Sequence, residues 1–380
     1  MIYFDQAATS LQKPETVGKA VYDSLTAGII GNPSRGGHRA SIEASRVIHN
    51  TRNSLEMLFH AKNYDVVLSK NVTEALNIVI KGAFDCNDHI ITSILEHNSV
   101  LRPLYELNTR GVEIDYIPCI SNTTILDYDV LSQLVKPTTR AVIVTHASNV
   151  TGVVTDLAKI SKFCKKHDLL LIVDGAQTAG LIEIDLDAID VDVFCFTGHK
   201  SLYGPQGTGG MFVKKGTPIR TFLSGGSGVF TFSKTQPSIM PEALEAGTPN
   251  THGFAGLLAG VNYVIEIGTK QLHRHVFSLT KYFYNEVSQM SHIKLYSNVS
   301  VLNSGVIALN VGDLDSAEVS EYLDDSFNIL TRPGAHCAPL VHQHFDTINQ
   351  GMVRFSFSSF NTLEEVKHAV QALKALEKEV

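Results

Sequence analysis

The chain has 380 residues, 44% of them apolar and 18% charged, with 31 Lys and Arg against 38 Asp and Glu for a formal charge of −7. A mildly acidic balance without a basic tract argues against nucleic acid as a partner, and no run of about 18 apolar residues is present to span a membrane. The start, MIYFDQAATSLQKPE, carries an acid where a secretory leader needs a basic region, so we expect a soluble, cytoplasmic protein. Cys86, Cys119, Cys164, Cys195 and Cys337 are scattered and contain no CxxC pair. They fit single thiols in a reducing compartment better than a disulfide framework.

Short β-branched runs alternate with stretches of helical period along most of the chain. DVVLS (65–69) is followed by the helical TEALNIVIKGAF (73–84), and HIITS (89–93) by NSVLRPLYELNTRG (98–111). VEIDYI (112–117), AVIVTHA (141–147), LLLIVD (169–174) and VDVFCF (191–196) read as further strands, with DLAKISKFCKKHD (156–168) as a helix between two of them. Apolar strands interleaved with helices predict a mainly parallel, doubly wound sheet covered on both faces. The rhythm changes after residue 262, where a long helix (270–290) and a charged amphipathic C-terminal stretch (362–380) follow. The expected organisation is α/β: a large domain over 16–262 and a smaller C-terminal α+β domain made of 1–15 and 263–380.

In such sheets ligands bind at the carboxyl ends of the strands, and polar groups gather there. Thr73 opens the helix after the first run; His97 follows the second; His146, Ser148 and Asn149 follow AVIVT; Asp174 and Gln177 follow LLLIV; Thr197, His199 and Lys200 follow VDVFCF. Thr73 reads either as a helix cap or as part of a phosphate site at a helix start. His97 reads as a structural histidine or as a ring-stacking one. Asp174, ending an apolar strand, needs a cation to offset desolvation. Gly204, Gly207, Gly209 and Gly210 lead into a strand, so they make no dinucleotide fingerprint, and no GxxxxGK[ST] loop occurs. A lysine that can form an imine, an acid for a ring cation, a phosphate-binding helix start and a stacking histidine together point to pyridoxal 5'-phosphate. A rival reading takes His336, Cys337, His342 and His344 as metal ligands.

At these residues the chain resembles fold-type I pyridoxal phosphate enzymes of the class V aminotransferase group, and within it the SUF-like (group II) cysteine desulfurases. The segments that carry the likeness are YFDQAATSLQKP, RGGHRAS, NVTEALN, EHNSV, HASNVTG, VDGAQTAG, FTGHKSLYGPQGTGG, EAGTPNT, RPGAHCAP and VRFSFSSFNT. The resemblance implies Lys200 as the imine lysine, Asp174 at the pyridine nitrogen, Gln177 at the ring hydroxyl and His97 stacked on the ring. It implies Val72, Thr73, Thr197 and His199 around the phosphate, and Asn149 and Arg354 as grips on an amino-acid substrate. Gly247 and Thr248 then reach a neighbouring subunit's phosphate, which implies a homodimer. Cys337 takes the sulfur of L-cysteine as a persulfide, leaving L-alanine, and passes it to an acceptor, for which the resemblance allows a protein. Selenocysteine lyase and other class V chemistry on a different amino acid are the related alternatives. NVTEAL stands where the family carries a Thr-Thr pair, so Thr73 is the single hydroxyl there.

Overall fold

The computed structural model describes residues 1–33, 36–121 and 123–378. Arg35, the first residue of the RGGHRAS segment, lies outside the described residues. The strands in chain order are β1 (Ile2–Tyr3), β2 (Tyr64–Ser69), β3 (His89–Ser93), β4 (Glu113–Ile117), β5 (Thr139–Thr145), β6 (Leu170–Asp174), β7 (Val193–Thr197), β8 (Gly209–Lys214), β9 (Ile293–Leu295), β10 (Val306–Val311), β11 (Ile329–Leu330) and β12 (Val353–Ser356). The first four helices are α1 (Glu15–Thr26), α2 (Arg39–Phe59), α3 (Val72–Ala83) and α4 (Asn98–Asn108).

Seven strands form the central sheet in the order β2-β8-β7-β6-β5-β3-β4. Six run the same way, and β8 alone is antiparallel to both of its neighbours. This is the mainly parallel sheet that the strand–helix rhythm predicts. The strands are apolar nearly throughout because helices cover both faces, and two buried clusters result. One holds Phe59, Phe194, Phe196 and Phe212; the other holds Val67, Leu76, Ile90, Ile143 and Ile172. Gly210 marks a close approach: a Cβ there would stand 2.5 Å from the Val67 carbonyl oxygen. Only glycine lets β8 enter between its neighbours at that point.

The C-terminal part carries a three-stranded antiparallel sheet, β12-β10-β9. A third cluster packs beneath it, with Phe283, Ile307, Phe355, Val366 and Leu373. The N-terminal strand belongs here too: β1 pairs in parallel with β11, and Phe4 is buried in the same cluster. The chain start then crosses to the central sheet, where the Ser10 hydroxyl donates to the carbonyls of His199 (3.0 Å) and Lys200 (3.1 Å). No helix among the described residues is long and apolar enough to cross a membrane.

Candidate active site

The carboxyl ends of β5, β6 and β7 and the amino ends of α3 and α4 converge on a cavity of about 240 Å³. Val72, Thr73, His97, Asn149, Asp174, Gln177, Thr197, His199 and Lys200 all face it. Nine of the expected site residues, drawn from five strand ends, therefore meet in one place. Asn71, Ser99, Thr145, Ala8 and Ala176 complete the wall.

Asp174 ends β6 in the interior, 3% exposed. Its Oδ1 accepts the Ala176 N–H at 2.9 Å. Burial pushes its carboxyl pKa up, while that N–H and the charge of Lys200 pull it back. Lys200 opens part of its side chain to the cavity but is ringed by protein, and desolvation lowers its pKa to about 8. The charge of Asp174 opposes that shift, and Arg354 and Arg332 reinforce it. The two groups thus moderate each other: an acid held near a cation, and an amine within reach of its neutral, nucleophilic form.

Thr73 is not the cap of its helix. Asn71 is, with its Oδ1 accepting the Glu74 N–H at 2.9 Å. The Thr73 hydroxyl is thereby free to meet the Ser99 hydroxyl at 2.8 Å, and Ser99 in turn reaches His97 Nδ1 at 2.9 Å. Ser99, two residues beyond His97 in EHNSV, supplies a second hydroxyl that the sequence reading lacks. Only the tertiary fold brings the starts of α3 and α4 side by side. Thr197 Oγ1 is buried in this wall without a hydrogen-bond partner. Free N–H groups at the start of a helix of this length, with hydroxyls and an unpartnered buried oxygen beside them, fit a phosphate.

His97 caps α4 through Nδ1. Burial lowers its pKa to about 4, with Lys200, Arg332, Arg354 and Arg102 adding to the effect, so the ring is neutral and suited to stacking. His199 is lowered to about 4, first by burial, then by Lys200 and Lys13, and its Nδ1 meets the Thr9 hydroxyl at 3.0 Å. Gln177 Nε2 donates to the Ala7 carbonyl at 3.2 Å. His146 and Ser148, noted beside Asn149 in the sequence, turn away into the loop: His146 Nδ1 meets Thr178 Oγ1 at 2.9 Å, and the Ser148 hydroxyl accepts the N–H groups of Val150 and Thr151.

Asn149 ties the cavity to the Cys337 loop: its Nδ2 donates to the His336 carbonyl at 2.7 Å, while its Oδ1 is buried and unpartnered. Cys337 is exposed. It opens on a second cleft of about 350 Å³ that shares Thr73, His97 and Ser99 with the first. Cys119, Cys164 and Cys195 are buried, and burial pushes the thiols of Cys119 and Cys164 up to about 12. Such thiols are inert. Cys86 lies at the opposite end of the sheet, on the turn before β3.

Arg354, on β12, is 2% exposed. Its Nη1 donates to the Asn149 carbonyl at 3.0 Å and its Nη2 to Asp5 Oδ1 at 2.5 Å, while Nε has no partner. Asp5, 349 residues away in sequence, is thus the counter-charge of this arginine. Asp5→Asn leaves a buried guanidinium uncompensated and is expected to cost about 3 kcal/mol, read as a lower urea midpoint at unchanged slope. A wild-type midpoint would show that the pair adds nothing to stability. Gly247 and Thr248 stand apart from the Lys200 cavity of their own chain and line a different one with Lys70 and Glu74.

The metal reading of His336, Cys337, His342 and His344 finds no ligand cluster to rest on. The rings of His336 and His342 stack at 5.9 Å and 16°, with His336 Nδ1 and His342 Nε2 buried and unpartnered. His336 Nε2 meets the Arg332 carbonyl, His342 Nδ1 meets Thr347 Oγ1, and His344 Nε2 meets the Thr123 carbonyl. Among the described residues no group of three or more His, Cys, Asp or Glu is placed to hold a metal ion.

A buried acid and a lysine of lowered pKa at the strand ends, beside a helix-start anion cradle, fit a pyridoxal phosphate site on an α/β fold. The chain belongs to the class V aminotransferase family, whose model matches residues 2–368, and pyridoxal phosphate is the cofactor of that family. It is 30% identical to a probable cysteine desulfurase of Methanothermobacter thermautotrophicus, over 99% of this chain and 94% of that one. It is 32% identical to a cysteine desulfurase of Shigella flexneri, over 99% and 93%. Among solved structures it is similar to the apo cysteine desulfurase of Thermococcus onnurineus NA1, with a TM-score of 0.91, 31% identity and 100% and 95% of the two chains covered.

Proposed function

We propose that this protein is a cysteine desulfurase of the SUF-like (group II) branch, converting L-cysteine to L-alanine and leaving a persulfide on Cys337. One observation carries the reading: the exposed Cys337 opens on a cleft that shares His97, Thr73 and Ser99 with the Lys200–Asp174 cavity. Bound there, pyridoxal phosphate supplies an electron-accepting ring that labilises bonds at the substrate's α-carbon.

The chain's own residues divide the remaining work. Thr73, Ser99, Thr197, His199 and the amide end of α3 hold the phosphate. Asp174 keeps a proton on the ring nitrogen by its charge, and neutral His97 covers one ring face. Lys200 Nζ would hold the cofactor covalently and, as a neutral amine, would take up the proton of the substrate's α-carbon. Arg354 and the free Oδ1 of Asn149 orient the amino acid. Cys337 Sγ attacks the substrate's sulfur: a sulfur–sulfur bond forms, the carbon–sulfur bond breaks, and its electron pair returns to carbon, where a proton completes alanine.

The same reading takes 16–262 as the cofactor-binding domain and 1–15 with 263–380 as the domain that carries Cys337 and Arg354, supported by the β1–β11 pairing. It includes a homodimer, because Gly247 and Thr248 lie outside their own Lys200 cavity and because Phe222, Leu223, Val229, Phe230 and Phe232 expose apolar surface on one loop. Free thiols fit a cytoplasmic, reducing location.

The test is chemical. Purified protein with pyridoxal phosphate and L-cysteine should release alanine without any oxo-acid, and Cys337 should gain the mass of one sulfur atom. Cys337→Ser should lower turnover by at least about 100-fold. Alanine formation by Cys337→Ser at the wild-type rate, or a requirement for an oxo-acid, would sink the proposal.

A further inference from the structure

Resting on that reading, we propose that the cleft in front of Cys337 is the acceptor subsite for a small thiol bearing a carboxylate or sulfonate, with Arg102 as its anion contact. The cleft of about 350 Å³ is walled by Asn77, Asn98, Arg102, Glu106 and Cys337 among others, a size suited to a small molecule. The Cys337 carbonyl accepts the Asn98 N–H at 2.7 Å, which pins the cysteine loop to the first turn of α4. Arg102 follows Asn98 by four residues, so it stands one helical turn further along the same face.

Charge then decides what the cleft accepts. Glu106 is already engaged by Lys81 and by Arg110, each at 2.5 Å. Arg102 is exposed and has no hydrogen bond or ion pair among the described residues, so the unbalanced charge beside the thiol is positive. A guanidinium presents a planar fork of donors that matches carboxylate and sulfonate. This arginine sits within the helical run NSVLRPLYEL, where periodicity alone reads it as a solvated surface charge.

The transfer balances without any added oxidant. The acceptor's thiolate attacks the outer sulfur of the Cys337 persulfide and a new sulfur–sulfur bond forms. The old bond breaks, Cys337 Sγ leaves with the electron pair, and the transferred sulfur keeps its proton. Arg102 holds the acceptor's anionic group while this occurs, one turn of helix beyond Asn98, whose N–H bonds the Cys337 carbonyl.

Holoenzyme charged with L-cysteine is discharged with mercaptosuccinate (anionic), 2-mercaptoethanol (neutral) or cysteamine (cationic), and kcat/KM is measured for each. Intrinsic thiol reactivity cancels when wild type and variant are compared. The mercaptosuccinate-to-mercaptoethanol ratio should fall about tenfold in Arg102→Leu, fall further in Arg102→Glu with cysteamine favoured, and be partly restored in Arg102→Lys. An unchanged ratio, or equal slowing of all three thiols, overturns the proposal. Wild-type enzyme that releases alanine but discharges to none of the thiols overturns it too, and points to a protein acceptor. Wild type that forms no alanine from L-cysteine refutes the desulfurase reading instead.

Discussion

Lys200→Ala should fold like the wild type yet turn over L-cysteine at least about 10⁴-fold more slowly, with pyridoxal phosphate bound only reversibly and not locked to the chain by borohydride. In the proposed mechanism the side chain supplies two things at once, a covalent anchor and a proton carrier. Its pKa of about 8 adds a pH signature with a definite sign. Only the neutral amine attacks an aldehyde. At pH 7.5 about a quarter of the chains hold Lys200 neutral, against about one in a thousand for an ordinary lysine. Attachment of the cofactor to the apoprotein should accelerate as pH rises, with a midpoint near 8, followed by its absorbance. A midpoint near the ordinary lysine value, or borohydride locking in Lys200→Ala, would assign the role to another residue.

Asp174→Asn should cost at least about 100-fold in turnover while leaving the fold intact. Asparagine keeps the volume and the acceptor that takes the Ala176 N–H at 2.9 Å, so the end of β6 has no reason to rearrange. What disappears is the charge that, in the proposed mechanism, holds a proton on the ring nitrogen. The same substitution acts on Lys200: the carboxylate of Asp174 currently raises the lysine's pKa against desolvation. Without it the attachment midpoint should move below about 8. Turnover and midpoint both at wild-type values would show that Asp174 does not face the cofactor. Asp174→Ala is the useful contrast, since it also orphans the Ala176 N–H and should unfold at lower urea.

Much of the site was legible because strand and helix periodicities locate the carboxyl ends of strands, and a residue's chemistry is visible at once. Asp174, Thr197, His199 and Lys200 follow directly from two apolar runs and the polar residues that stop them. Thr73 shows the limit of local reasoning. A threonine at a helix start reads as a cap, but Asn71, two residues earlier, takes that role and releases the hydroxyl to Ser99. Ser99 carries no signal of its own in the sequence; it matters only because α3 and α4 begin side by side. The Asp5–Arg354 pair and the Arg102–Cys337 cleft join residues far apart along the chain, which no window of spacing can connect.

By itself, then, the sequence determined the α/β rhythm, the lysine and the acid at the strand ends, and the motif that bears Cys337, because those depend on residue type and short-range period. Tertiary structure alone decided that β8 runs antiparallel between β2 and β7, that Arg354 is countered by Asp5, that Cys337 is the thiol opening on a cleft that shares Thr73, His97 and Ser99 with the Lys200 cavity, and that Arg102 stands uncompensated beside it. Burial and charge balance are properties of what the folded chain brings together, and they set which of many similar side chains can react.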